Sequence, residues 1–147
     1  MKIYLFLNSL NKLTNEGIFI MRLWHQDLIS KLPRQQLSGQ HRECAALRGN
    51  GWGKKHSTVD YVFNYPPNLL YLYHMEVMKE MIRRKPDSTI DRSWFEPSYR
   101  GKKCTRWFYL PYIHFFHADI TGNIYPEHND EYMQKCIENL RNKGVVI

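Results

Sequence analysis

Arg34-Gln35-Gln36-Leu37-Ser38-Gly39-Gln40-His41-Arg42-Glu43-Cys44-Ala45-Ala46-Leu47-Arg48 is the stretch that decides how this chain folds. Pro33 precedes it and Gly49 follows it. Proline suits the first turn of a helix and glycine the position just past its end, so the spacing predicts a helix over Arg34–Arg48 with Gly49 at C′. Its apolar side is thin, carried by Leu37, Cys44 and Leu47. The other side is a polar stripe of Gln35, Gln36, Gly39, Gln40, Arg42 and Glu43. Amides, a guanidinium and one carboxylate on a single face can grip a polar ligand and move a proton. A glycine in mid-helix costs about 1 kcal/mol relative to alanine. Gly39 therefore reads as a point of close approach, either by a ligand or by a tightly packed neighbouring helix.

Working outward, Gly49-Asn50-Gly51-Trp52-Gly53-Lys54-Lys55-His56 carries three alternate glycines and reads as a basic loop. It lacks the spacing of a phosphate-binding P-loop, yet its amides with Lys54 and Lys55 suit a nucleic-acid phosphate. The bland alternative is a solvated turn. A second helix is expected over about Asn68 to Arg84, led in by Pro66-Pro67. Leu70, His74, Val77, Met78 and Met81 share its core face. Glu76 with Lys79, and Glu80 with Arg83 and Arg84, are expected to pair on its solvent side. From Arg83 to Arg106 the chain turns basic, and Trp94, Phe95, Tyr99 and Trp107 are interleaved with its cations. That mixture suits a phosphate track with base stacking or, equally, exposed charge above buried rings. The aromatic run Trp107 to Phe116 reads as core. A last helix is expected over about Asp130 to Lys143, capped by Asn129 and ended by Gly144, with Tyr132, Met133, Cys136, Ile137 and Leu140 as its buried stripe. The fold class is mainly α: a compact single domain of about three principal helices joined by long basic, aromatic-rich loops. Residues 21–147 form that domain and residues 1–20 an extension ahead of a second possible chain start, Met21-Arg22-Leu23-Trp24.

Composition narrows the function. A 43% hydrophobic content excludes a disordered chain, and a formal charge of +7 favours an anionic partner, nucleic acid being the commonest. Cys44, Cys104 and Cys136 are widely spaced with no Cys-x-x-Cys, which argues for free thiols in a reducing cytoplasm. His114 and His117 are separated by Phe115 and Phe116, a weak metal pattern, so neither metal nor cofactor is expected. No segment has the roughly 18 apolar residues of a membrane span, and the first twenty residues make a poor signal peptide.

Taken together, Met21-Arg22-Leu23-Trp24, Arg34-Gln35-Gln36-Leu37 and Gln40-His41-Arg42-Glu43 resemble the pyrimidine-dimer DNA glycosylases of the phage endonuclease V type. In that family a short N-terminal segment leads to a helix bearing a Gln and, eight residues on, an Arg-Glu pair; Gln35 and Arg42-Glu43 keep this spacing. The stretch Leu69 to Arg84 resembles the family's second helix. The resemblance implies an enzyme that extrudes a nucleotide from damaged double-stranded DNA and attacks the sugar with the α-amino group of its own chain. An α-amine has a pKa near 7.7–8.0, so part of it is nucleophilic at neutral pH. By the same resemblance Glu43 is the catalytic carboxylate, and Gln35 and Arg42 hold phosphate or the extruded nucleotide. Arg34, Lys54, Lys55, Arg83 and Arg84 complete the DNA-binding set.

Arg22 stands where the family carries a small, nucleophile-bearing residue exposed by methionine trimming. Arginine does not favour trimming, and twenty residues precede Met21. Three routes to an amine follow: translation starting at Met21, the amine of Met1 folded into the site, or a lysine such as Lys54 or Lys55. The first is the favoured expectation, with a monomer as the default state. From the residues alone, Glu43 also reads as a surface carboxylate paired with Arg42 or Arg48. Likewise a non-catalytic nucleic-acid binder on this scaffold, or a basic module for an acidic protein, stays open.

Overall fold

In a computed structural model the described residues are 22–55, 58–104 and 122–147. Among the described residues three α-helices carry the architecture: α1 (Arg34–Arg48), α2 (Pro67–Arg84) and α3 (Asp130–Asn142). Short 3-10 helices at Gln26–Lys31, Asp60–Asn64 and Arg92–Phe95 punctuate the connections. No strand occurs among the described residues. The mainly helical, single-domain expectation is met, and each helix lies within a residue of its expected bounds. The aromatic run 107–116, with His114 and His117, falls outside the described residues, as do Met21 and His56.

α1 packs against α2 around Leu37, Cys44, Leu47, Leu70, Tyr73 and Val77, all buried. α3 adds Cys136 and Leu140 to the same core, with Tyr132, Met133 and Ile137 half-buried at its edge. Asn129 caps α3 as expected, its Oδ1 accepting from Tyr132 N–H at 2.9 Å. The other end of α3 closes in a Schellman turn. Val145 N–H donates to the Leu140 carbonyl and Gly144 N–H to Arg141, with Gly144 at φ +80°.

Gly49 differs from its expected role. It is the C-cap of α1 at φ −97°, outside the left-handed region. Its need for glycine is steric: a Cβ there would stand 3.0 Å from the Arg100 carbonyl oxygen. Among the described residues Gly39 has only the Arg42 guanidinium nearby, 3.8 Å from where a Cβ would sit, so no tight packing by them explains it.

The extended segment Arg22–His25 runs into the core ahead of the first 3-10 helix. Leu23, Trp24 and His25 are buried. A buried extended segment must find partners for its backbone polar groups, and each helix supplies one. Gln40 of α1 takes Trp24 N–H, Tyr73 of α2 donates to the Trp24 carbonyl, and Tyr132 of α3 donates to the Leu23 carbonyl.

The Glu80 cluster also corrects an expectation. Glu80 is buried rather than solvent-facing, and it accepts from both Arg83 and Arg84 at 2.7 Å. Arg84 reaches on to the carbonyls of Leu32 (2.7 Å) and Ser30 (3.1 Å). These carbonyls lie at the end of the first 3-10 helix, where helical partners run out. Hydrogen bonds from Arg83 foremost, with Arg84 adding to them, hold the Glu80 carboxyl down at about 2.

Candidate active site

The polar stripe read from the sequence is split by the fold. Gln35 and Arg42 are exposed, but Gln40 is only 1% exposed and faces the protein. Its side chain uses its full hydrogen-bonding capacity. Oε1 accepts from Trp24 N–H at 2.6 Å and lies 2.8 Å from the Tyr73 hydroxyl, whose one proton it shares with the Trp24 carbonyl. Nε2 donates to the Arg22 carbonyl at 2.8 Å and to Glu43 Oε2 at 2.9 Å. A backbone N–H can only donate, so Trp24 fixes which end of the amide is oxygen. The amide nitrogen must then face Arg22 and Glu43.

Glu43, one turn along α1 from Gln40, is thereby held beside the segment that starts at Arg22. Burial is the main influence on it and pushes its carboxyl up to about 7. Against burial act Lys143, the Arg22 backbone N–H hydrogen-bonded to it, and the charges of Arg42 and Arg22. A carboxyl poised there can both give and take a proton at neutral pH. The alternative pairing of Glu43 with Arg48 does not occur. Arg48 is buried on the other side of α1, donating to the carbonyls of Trp94 (2.8 Å), Glu96 (3.1 Å) and Tyr99 (3.2 Å). It also meets His74 Nδ1 at 2.9 Å and lies 5.0 Å from the Trp94 ring centroid. Trp94 and Tyr99 pack edge to face at 4.8 Å. These rings of the basic-aromatic stretch therefore anchor a loop onto α1.

The remaining candidates fall into three groups. Arg34, Arg42 and Arg84 line one cleft of about 550 Å³ together with His41 and Lys85. Lys54 and Lys55 are exposed in the turn leaving α1. Arg83 is largely exposed but engaged by Glu80. Two residues escaped the sequence reading. Periodicity places Gln40 on the ligand side of its helix. The sequence marks Lys143 only as the end of α3, yet of the charges around Glu43 its influence is the largest. Its Nζ lies 5.3 Å from the Trp24 ring centroid, and the Arg22 guanidinium carbon lies 5.8 Å from the same ring. No sequence spacing links α3 to Glu43, so this approach could be seen only in three dimensions. Among the described residues no His, Cys, Asp and Glu group could hold a metal ion, and no helix is long and apolar enough to cross a membrane.

A helical domain that buries its extended leading segment against a proton-active carboxyl on a cationic surface defines a class in which known families can be sought. The family model described as pyrimidine dimer DNA glycosylase matches residues 21–95, half of the chain, and the chain belongs to that family. The match spans α1, α2, Arg22, Gln40 and Glu43; α3 lies beyond it. Membership brings the family's kind of function, DNA glycosylase action in the repair of damaged DNA. No curated protein and no solved structure matches the chain.

Proposed function

We propose that the protein removes damaged pyrimidines, pyrimidine dimers among them, from double-stranded DNA and then opens the abasic site by amine–imine chemistry. Residues 21–147 act as the catalytic unit, with residues 1–20 as an extension. The reading rests on one observation: Gln40 Nε2 donates both to the Arg22 carbonyl and to Glu43 Oε2. An amine at the start of a chain beginning with Met21 would be one residue from that junction. It would attack C1′ of an extruded nucleotide and displace the base. Glu43 would carry protons during imine formation and then remove the C2′ proton, which expels the 3′ phosphate. Arg42 and Gln35, exposed on the same helix, would hold phosphate or the extruded nucleotide. Arg34, Lys54, Lys55 and Arg83 would contribute to the phosphate track.

The test is borohydride trapping on duplex DNA carrying an abasic site, run with the full chain and with a chain starting at Met21. A covalent adduct from the shorter chain is expected. No adduct from either chain overturns the lyase reading, leaving a DNA-binding protein on the same scaffold.

A further inference from the structure

Where Met21 lies inside the chain, its nitrogen is an amide and cannot form an imine. The site still holds an amine. Lys143 is the C-cap of α3, its backbone set by the Schellman turn through Gly144. Its residue is exposed, and Nζ reaches back over the Trp24 ring at 5.3 Å, toward Glu43. Trp24 is itself fixed by Gln40 and Tyr73. The Lys143 amine and the Arg22 guanidinium therefore stack on one buried indole, and the Lys143 charge acts on Glu43.

We infer that Lys143 Nζ is the imine-forming nucleophile in chains that retain residues ahead of Met21. This rests on the lyase reading above and replaces Lys54 and Lys55, which lie in the turn at the end of α1. Glu43 takes one proton from the Lys143 ammonium. The freed lone pair attacks the C1′ aldehyde of an abasic sugar, and the carbinolamine loses water as Glu43 returns that proton to the departing hydroxide. Glu43 then removes the C2′ proton; the electrons shift to break the C3′–O bond, and the 3′ phosphate leaves. Water hydrolyses the imine and restores the amine. Burial of Glu43, which makes it a better proton acceptor than an ordinary carboxylate, favours the first transfer.

The experiment uses the full 147-residue chain, abasic duplex and borohydride, followed by proteolysis and mass mapping of the adduct. The sugar mass is expected on the peptide containing Lys143. Lys143→Arg keeps the charge but cannot supply a neutral amine. It should lower trapping by about tenfold or more while DNA affinity stays within about twofold. Lys135→Arg, on the exposed part of the same helix and paired with Glu131 at 3.4 Å, should trap like the parent. An adduct on another residue, or undiminished trapping by Lys143→Arg, overturns the role of Lys143 and leaves the lyase reading standing. Absence of any adduct from both this chain and the one starting at Met21 overturns both. Because the adduct is mapped on the unsubstituted chain, the result does not depend on the variant folding.

Discussion

The Gln40 side-chain amide donates to Glu43 Oε2 at 2.9 Å from a position buried between α1, α2 and the Arg22–His25 segment. A residue that satisfies the backbone of the core thus also aims the carboxyl to which we assign the proton transfers. Packing and function share one hydrogen-bond network, and each can be perturbed through it.

Replacing Gln40 with alanine should damage both. The Trp24 N–H loses its buried acceptor, which costs about 1–3 kcal/mol, while the Tyr73 hydroxyl keeps the Trp24 carbonyl. Gln40→Glu should be as harmful to activity, because an acceptor would face the Arg22 carbonyl and a second carboxyl would crowd Glu43. Urea unfolding of both variants measures the first effect, and cleavage of abasic DNA the second. Parent-like stability in Gln40→Ala would mean the network is dispensable.

Glu43→Gln should abolish strand cleavage, by about a hundredfold or more, while DNA binding persists. It should also stabilise the fold at high pH. The native carboxyl titrates near 7 against an ordinary value of 4.5, so its stabilising proton is fully bound below about 4.5 and lost as pH rises through 7. The difference amounts to about 3 kcal/mol. The amide variant should therefore exceed the parent by up to that amount at pH 8 and match it near pH 4. Unfolding curves at the two pH values decide it; equal stability at pH 8 would mean that Glu43 is well solvated.

The same variant should uncover a histidine effect of opposite sign. Burial foremost holds His74 down at about 2 and His128 at about 3. Their contribution is present above 6.5 and is lost as pH falls below it, because the unfolded chain takes up protons that the native sites refuse. In the parent, protonation of Glu43 offsets this loss between about 7 and 4.5. In Glu43→Gln stability should fall steadily with acid from pH 6.5 downward, and a flat profile there would contradict the burial of both rings.

The helices were legible in the sequence because local signals marked their ends: Pro33 and Pro66-Pro67 at two starts, Asn129 and Gly144 around the last. The carboxyl at 43 stands out only through the family resemblance; its position alone reads equally as a surface ion pair. Gln40 was misplaced for a physical reason. Helical periodicity assigns a polar residue to the wet face unless a buried backbone demands a partner, and the demand came from Arg22–Trp24, distant in sequence. Arg84 and Arg48 look like surface cations for the same reason; the carbonyls they satisfy belong to other elements.

Arg48→Ala should release the 92–100 loop from α1. The guanidinium satisfies three carbonyls there while Tyr71 and Trp94 cover it. Its loss should cost about 3 kcal/mol or more, and Arg48→Lys should not rescue it because a single ammonium cannot reproduce the fork. Faster amide exchange in residues 92–100 is the expected sign, and unchanged exchange would show the loop is held by its own rings.

Salt dependence should separate cations that meet DNA from cations that hold the fold. Removing a cation that neutralises one phosphate lowers the slope of log affinity against log salt by about 1. Lys54→Ala, Lys55→Ala and Arg42→Ala, all at exposed positions, should each reduce the slope by that amount with little change in unfolding midpoint. Arg84→Ala should do the reverse. Its guanidinium is already engaged by Glu80 and the carbonyls of Leu32 and Ser30, so stability falls while the salt slope of the folded fraction is kept. Fluorescence anisotropy across a salt series, alongside urea unfolding, reads both quantities. A full unit drop in slope for Arg84→Ala would mean that DNA draws this arginine away from its partners, and that the end of the first 3-10 helix opens on binding.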